Sequence, residues 1–296
     1  MTMRRHTLPL VLLLTVASAT AQADPFKISQ KDQFELGQRA ANDVRKTEKV
    51  LPDGDARTVV IRKIGAKLLA LYAADDAKEK RPKPFKYTFD VIESTDINAF
   101  AFPGGPTFFY TGLLDKMSTE DEVAAVLAHE LTHAREEHFA SDYAAAQRRA
   151  LGLSALLTIL GAGQDVVNIA AISNDVLLGT KFSRRSENRA DEGGYKLMTR
   201  AGFNPQGMVK VFETLSKAGG GGGMPEWVST HPSDKNRIKN VQKWMADDTK
   251  KGVKFAPSTP LPTLPKTPVK AKDDKKDDKD GKGKGSASHF ACSCFG

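Results

Sequence analysis

The chain has 296 residues, 40% hydrophobic and 27% charged, with a formal net charge of +8. More than half of that excess sits in two N-terminal arginines and in residues 266–284, where eight lysines face five aspartates, so the remainder is too small for a nucleic-acid surface. Cysteine occurs only at Cys292 and Cys294, which excludes a disulfide framework in the folded part.

Residues 1–23 read as a cleaved signal peptide. Arg4 and Arg5 precede a short apolar run at 8–16, and Ala19, Ala21 and Ala23 carry small-x-small spacing. Cleavage after Ala23 leaves Asp24 first, with no cysteine there for a lipid anchor, and points to export into a bacterial periplasm. Residues 27–52 and 57–74 have helical spacing of apolar positions, through Leu36, Ala40 and Val44 and then Ile61, Ile64 and Leu68. Phe85, Tyr87, Phe89 and Val91 alternate, which predicts a strand over 85–92. Short strands are predicted at 99–102 and 107–110, either side of the Gly104-Gly105 turn.

Thr119-Glu120-Asp121-Glu122 has the form of a capping box and predicts a helix start. Val123, Val126, Leu127 and Leu131 then recur at helical spacing. On this helix lies His129-Glu130-Leu131-Thr132-His133. Residues i and i+4 share a helix face, so both imidazoles can reach one metal ion, with Glu130 beside them as a general base. His138, five residues past His133, would point about 140° away on an unbroken helix and is expected to cap or pack.

Residues 151–178 are apolar but interrupted by Gln164, Asp165, Asn168, Asn174 and Asp175. They predict a helical hairpin packed on the core or covering it, not a bilayer span. In Ser183-Arg184-Arg185-Ser186-Glu187-Asn188-Arg189-Ala190-Asp191, Glu187 and Asp191 are again i and i+4. Taken alone this is a charged helix face. Beside a two-histidine site, Glu187 is the better third metal ligand, and one carboxylate of such a pair can instead hold the free N–H of a ligating histidine. Asn204 and Pro205 start a predicted helix over 205–217. Five glycines at 219–223 follow, a loop that would let His231 move, and a last helix spans 233–249. From 255 the composition turns to proline and then to lysine and aspartate, which predicts disorder to residue 296.

Four segments together resemble the M48 family of zinc metallopeptidases: residues 98–105 with 110–114, residues 129–138, residues 183–191, and Ser229-Thr230-His231-Pro232 with Arg237. The resemblance implies an α+β fold, a mainly helical zincin core of gluzincin type with a small β-sheet beside the active-site helix, over residues 24–254. It implies one Zn2+ per chain on His129, His133 and Glu187, with Glu130 as general base and Asp191 orienting a ligand. His231 and Arg237 fall near the site. His231 would donate to the oxyanion or occupy the fourth metal position, unless it is only a turn residue before Pro232. Asn98, Ala99, Phe100 and Ala101 would pair with an extended substrate backbone. Arg189 departs from the family pattern, at a position expected to face away from Glu187.

The expected activity is therefore hydrolysis of unfolded or misassembled envelope proteins, with no nucleic acid partner. No transmembrane helix is expected after signal cleavage, which leaves room for peripheral membrane association. The alternative is a non-catalytic or autoinhibited zinc-binding, chaperone-like envelope protein. Retention of Glu130 weighs against it, since a structural site needs no base and favours four protein ligands.

Overall fold

The computed structural model describes residues 26–79, 85–159, 177, 181–218, 226–231 and 235–268. The expected signal peptide, most of the 151–178 hairpin, the 219–223 glycines, Pro232 and the tail from 269, with Cys292 and Cys294, lie outside them. Two helices come first, α1 (Gln30–Thr47) and α2 (Ala56–Glu79). Ser29 caps α1 by accepting from Asp32 N, and Asp55 accepts from Arg57 N at the start of α2.

Three strands follow, β1 (Thr88–Ile92), β2 (Ala99–Ala101) and β3 (Pro106–Tyr110), in the order β1-β3-β2. β1 pairs parallel with β3, Phe89 against Thr107; β2 pairs antiparallel, Phe100 against Phe108. Gly104 and Gly105 turn between β2 and β3 at φ 82° and 111°, which glycine adopts without strain. The sheet is buried on both faces. Phe89, Val91 and Phe109 pack towards α2, while Ile92, Phe102 and Phe108 pack under Leu36, Ala40 and Val44 of α1.

A short α3 (Thr111–Leu114) leads to α4 (Glu120–Arg135). Its capping box forms as expected: Thr119 Oγ1 accepts from Glu122 N, and the Glu122 carboxylate accepts from Thr119 N. From Asp121 to Ala134 every residue of α4 is buried. Such a helix lies inside the body, surrounded by other elements, and its polar residues need partners there. After it come α5 (His138–Ile159), α6 (Arg184–Arg200), α7 (Gln206–Ala218), α8 (Glu226–Thr230) and α9 (Lys235–Lys250). The first arm of the expected hairpin, through residue 159, is the continuation of α5.

Helix α6 crosses α4 closely because Gly193 and Gly194 sit at the crossing. A Cβ on Gly193 would lie 2.5 Å from Thr132 Cγ2, and one on Gly194 would lie 3.1 Å from His129 N. Leu131 of α4, Met198 of α6, Val211 of α7 and Val241 of α9 close the main core. The result is a mainly helical α+β body with a three-stranded sheet beside the central helix, as the sequence resemblance implies.

One expectation fails. Residues 256–268, read as part of a disordered tail, run extended along the N-terminal end of α4. Glu120 N donates to Thr259 O and Leu261 N to Ser118 O, while Leu261 and Leu264 pack against the core. Between the prolines there, Thr259, Leu261 and Thr267 keep N–H groups that find acceptors.

Candidate active site

The local helix pattern places His129 and His133 one turn apart on the inward face of α4. Their Nε2 atoms lie 3.0 Å from each other. The α4–α6 crossing brings Glu187 to them, with Oε1 3.4 Å from His133 Nε2 and Oε2 3.7 Å from His129 Nε2. At the end of α8, His231 completes the group: its Nδ1 is 2.9 Å from Glu187 Oε1 and 3.3 Å from His129 Nε2. All four side chains are buried, and one donor atom from each lies within 4.8 Å of the others.

These distances fit a metal ion. Donors about 2.1 Å from a tetrahedral ion lie roughly 3.4 Å apart, and nitrogen with carboxylate oxygen is the donor chemistry zinc accepts. Glu187 Oε2 is among the buried polar atoms without a hydrogen bond, with Arg237 Nη1 3.0 Å away as an ionic neighbour.

Behind the donors stands a second layer. His129 Nδ1 is 3.0 Å from Asp191 Oδ1, on the side away from the other donors. This favours a proton on Nδ1 and a free lone pair on Nε2. Arg237 of α9 grips Asp191 through Nε and Nη2, at 2.7 and 2.6 Å, and its Nη1 lies 3.0 Å from Glu187 Oε2. Arg189 extends from α6 to Glu136, away from the donors, as expected.

Electrostatics follow from this packing. Burial holds the His133 imidazole well below its usual range. Burial works to raise the Glu187 carboxyl, but His231, His133 and His129 outweigh it and hold it well below the ordinary value. Burial likewise opposes ionisation of Asp191, and Arg237 outweighs it. Burial disfavours the charged form of His231, whereas Glu187 and Glu130 raise its pKa more strongly.

Glu130 faces the same space. Its Oε1 accepts from Trp227 Nε1 at 3.1 Å and lies 3.6 Å from His231 Nε2. A narrow cleft opens beside it, lined by Asn98, Phe100, Ala101, Phe182, Thr230 and His231 among others. Ala99 differs from its neighbours: its side chain is fully buried in the core. Asn98 O and Phe102 N bond to β3, so alternation turns the main-chain groups of Ala99 and Ala101 to the other edge of β2. No strand pairs with that edge among the described residues.

Sequence reasoning missed two side chains, Trp227 and Phe182, and did not foresee what a third, His138, would pack against. Trp227 stacks on His231, ring centroids 4.8 Å apart at 21°, besides bonding Glu130. Its only signal was position, four residues before His231. Phe182 lies 3.9 Å from the His133 ring, just before the Ser183 cap of α6. His138, expected to cap or pack, is buried with Nδ1 3.1 Å from His133 Nδ1. Burial, with Arg189 and His129 nearby, brings its pKa down to about 4.

Comparison with known proteins bears on this geometry. Residues 62–245, which hold every donor and Glu130, Asp191 and Arg237, match the model of peptidase family M48. The chain is 30% identical over 204 residues to the mitochondrial metalloendopeptidase OMA1 of Schizosaccharomyces pombe, covering 68% of this chain and 56% of that protein. Identity to OMA1 of Saccharomyces cerevisiae is 32% over 209 residues, 67% and 59% of the two chains. The β-barrel assembly-enhancing protease of Escherichia coli K12 is 31% identical over 170 residues, 53% of this chain and 34% of that protein. The match thus spans less than two thirds of the length of these relatives. The family match, with the donor set, the glutamate beside it and their order along the chain, places this protein in peptidase family M48.

Proposed function

We propose that the protein is a zinc-dependent metalloendopeptidase that hydrolyses peptide bonds of unfolded or misassembled envelope proteins. The observation that carries this reading is Glu130, buried beside a His129–His133–Glu187 donor set and open to the cleft along β2. His129, His133 and Glu187 would hold one Zn2+, which when bound supplies Lewis acidity to a carbonyl and to water. Asp191 keeps His129 in the ligating tautomer, and Arg237 keeps Asp191 ionised.

The extended substrate would lie along the open edge of β2. There Ala99 and Ala101 offer main-chain groups, while Asn98 and Phe100 border the cleft. Strand addition reads backbone, not sequence, which suits unfolded chains. Glu130 takes the proton of the attacking water and passes it to the leaving amine. Trp227 holds Oε1 of Glu130 and so orients the carboxylate for that transfer.

The setting rests on the leader-like residues 1–23 and on relatives named for β-barrel assembly. No helix among the described residues is long and apolar enough to cross a membrane. The periplasm is the compartment that accords with both.

A test follows directly. Glu130→Gln is expected to retain about one zinc per chain and to lose at least about a hundredfold in cleavage of an unfolded protein. A variant that cleaves as fast as the parent would remove Glu130 from the mechanism.

One observation favours a second, resting state. His231 Nδ1 lies among the donors, not at a distance suited to an oxyanion alone. We infer that His231 fills the fourth position at rest and leaves it when substrate binds. His231→Ala should then release zinc to a chelator faster than the parent, whereas equal rates would count against ligation by His231.

A further inference from the structure

One buried histidine stands outside the donor set. His138 lies at the first residue of α5, yet its ring reaches back to His133. On an unbroken helix the two would point about 140° apart. They meet because the helix breaks between them, at Glu136 and Glu137.

The break is sharp. Glu137 has φ 54°, the one positive value at a non-glycine residue among the described residues. Side chains disfavour that conformation, and it persists where surroundings enforce it. Here the enforcing contact is visible. Gln30 Nε2 donates to Glu137 Oε1, and Gln33 Nε2 donates to Oε2 at 2.7 Å. Both glutamines belong to the first turns of α1. Gln33 is 1% exposed, and its amide also donates to Ile28 O. Helix α1 lies outside residues 62–245, so this reach towards the metal centre comes from beyond the matched region.

The consequence concerns His133. A ligating imidazole needs its second nitrogen held, so that the ring stays oriented and the proton stays off the ligating nitrogen. For His129 the holder is Asp191. For His133 the atom within reach of Nδ1 is Nδ1 of His138. If His133 Nδ1 carries the proton, it donates to the Nδ1 lone pair of His138, whose own proton then sits on its buried Nε2, and His133 Nε2 is left free for metal.

We propose that α1, through the grip of Gln30 and Gln33 on Glu137, sets the helix break that seats His138 against His133 and so strengthens metal binding. Glu137 and His138 are positioning residues. This rests on the reading that His133 ligates zinc.

The test is zinc affinity of the full chain, measured by competition with a chromogenic chelator, with no cleavage assay involved. His138→Ala and Glu137→Ala should each bind zinc at least about tenfold more weakly than the parent. His138→Asn, whose side-chain oxygen can accept from His133 Nδ1, should recover part of that loss. Glu137→Gly should stay within about threefold of the parent, because glycine adopts the left-handed conformation freely. The pair Gln30→Ala and Gln33→Ala should weaken zinc binding in the parent and have no effect in Glu137→Gly. The proposal is overturned if His138→Ala binds zinc like the parent, or if Glu137→Gly binds no better than Glu137→Ala. A His133→Ala variant that binds zinc as tightly as the parent would instead overturn the metal-site reading beneath it.

Discussion

Arg237 closes both oxygens of Asp191 in a buried two-pronged grip, at 2.7 and 2.6 Å, and the same guanidinium reaches Glu187. Two carboxylates from one face of α6 thus share one cation from α9, and each in turn serves a histidine of α4. Removing the cation leaves two buried carboxylates without it, which costs about 3–5 kcal/mol in comparable pairs. Arg237→Met is expected to lower the melting temperature by roughly 10 °C, read by calorimetry. An unchanged melting temperature would mean that the pair contributes nothing net.

Acid should expose the same contacts. The Asp191 and Glu187 carboxyls are held below their ordinary values, with burial opposing and Arg237 and the histidines prevailing. A carboxyl with a lower folded pKa contributes stability in full above the unfolded value. That contribution is lost as pH falls through the unfolded value towards the folded one. The urea midpoint should therefore hold from neutrality to about pH 5 and fall steeply below it. In Arg237→Met the fall should be shallower, because the folded Asp191 carboxyl then titrates closer to its unfolded value. A parent midpoint that does not change between about pH 5 and about pH 3 would contradict this assignment.

The α4–α6 crossing sets the distance between the histidines and Glu187. Gly193→Ala would place a methyl 2.5 Å from Thr132 Cγ2, on a buried β-branched side chain that cannot swing away. Overpacking of this kind costs about 1–3 kcal/mol and separates the helices. The variant should lose thermal stability and zinc affinity together. Retention of both would show that the crossing has slack.

Asp121 ties the proline-rich strap to the active-site helix. Fully buried in the first turn of α4, it accepts from Asn204 N at 2.7 Å and from Thr259 N at 3.0 Å. Asp121→Ala strands two backbone donors, at a cost of about 2 kcal/mol or more. The melting temperature should fall by roughly 4–8 °C, and hydrogen exchange should quicken over residues 256–268. Exchange unchanged in that stretch would place the strap's anchorage elsewhere.

Much of this is legible in the amino-acid sequence. The capping box, the shared face of His129 and His133, and the shared face of Glu187 and Asp191 depend on contacts within four residues. Helix geometry alone fixes those. The alternation at Tyr87, Phe89 and Val91 likewise located a strand, though only its core from Thr88 forms the ladder. The strap was misread for a comparable reason. Proline content argues for disorder, but it does not show that Thr259, Leu261 and Thr267 would find acceptors in Asp121, Ser118 and Asp115.

The sequence by itself determined which side chains share a helix face, because a 3.6-residue turn leaves no other outcome. Only the tertiary structure decided that Arg237 serves Asp191, that Trp227 bonds Glu130, and that a left-handed Glu137 returns His138 to His133. Each of those joins residues whose meeting depends on how helices cross or where one breaks. Such events are set by close packing and by distant hydrogen bonds, which no local period encodes.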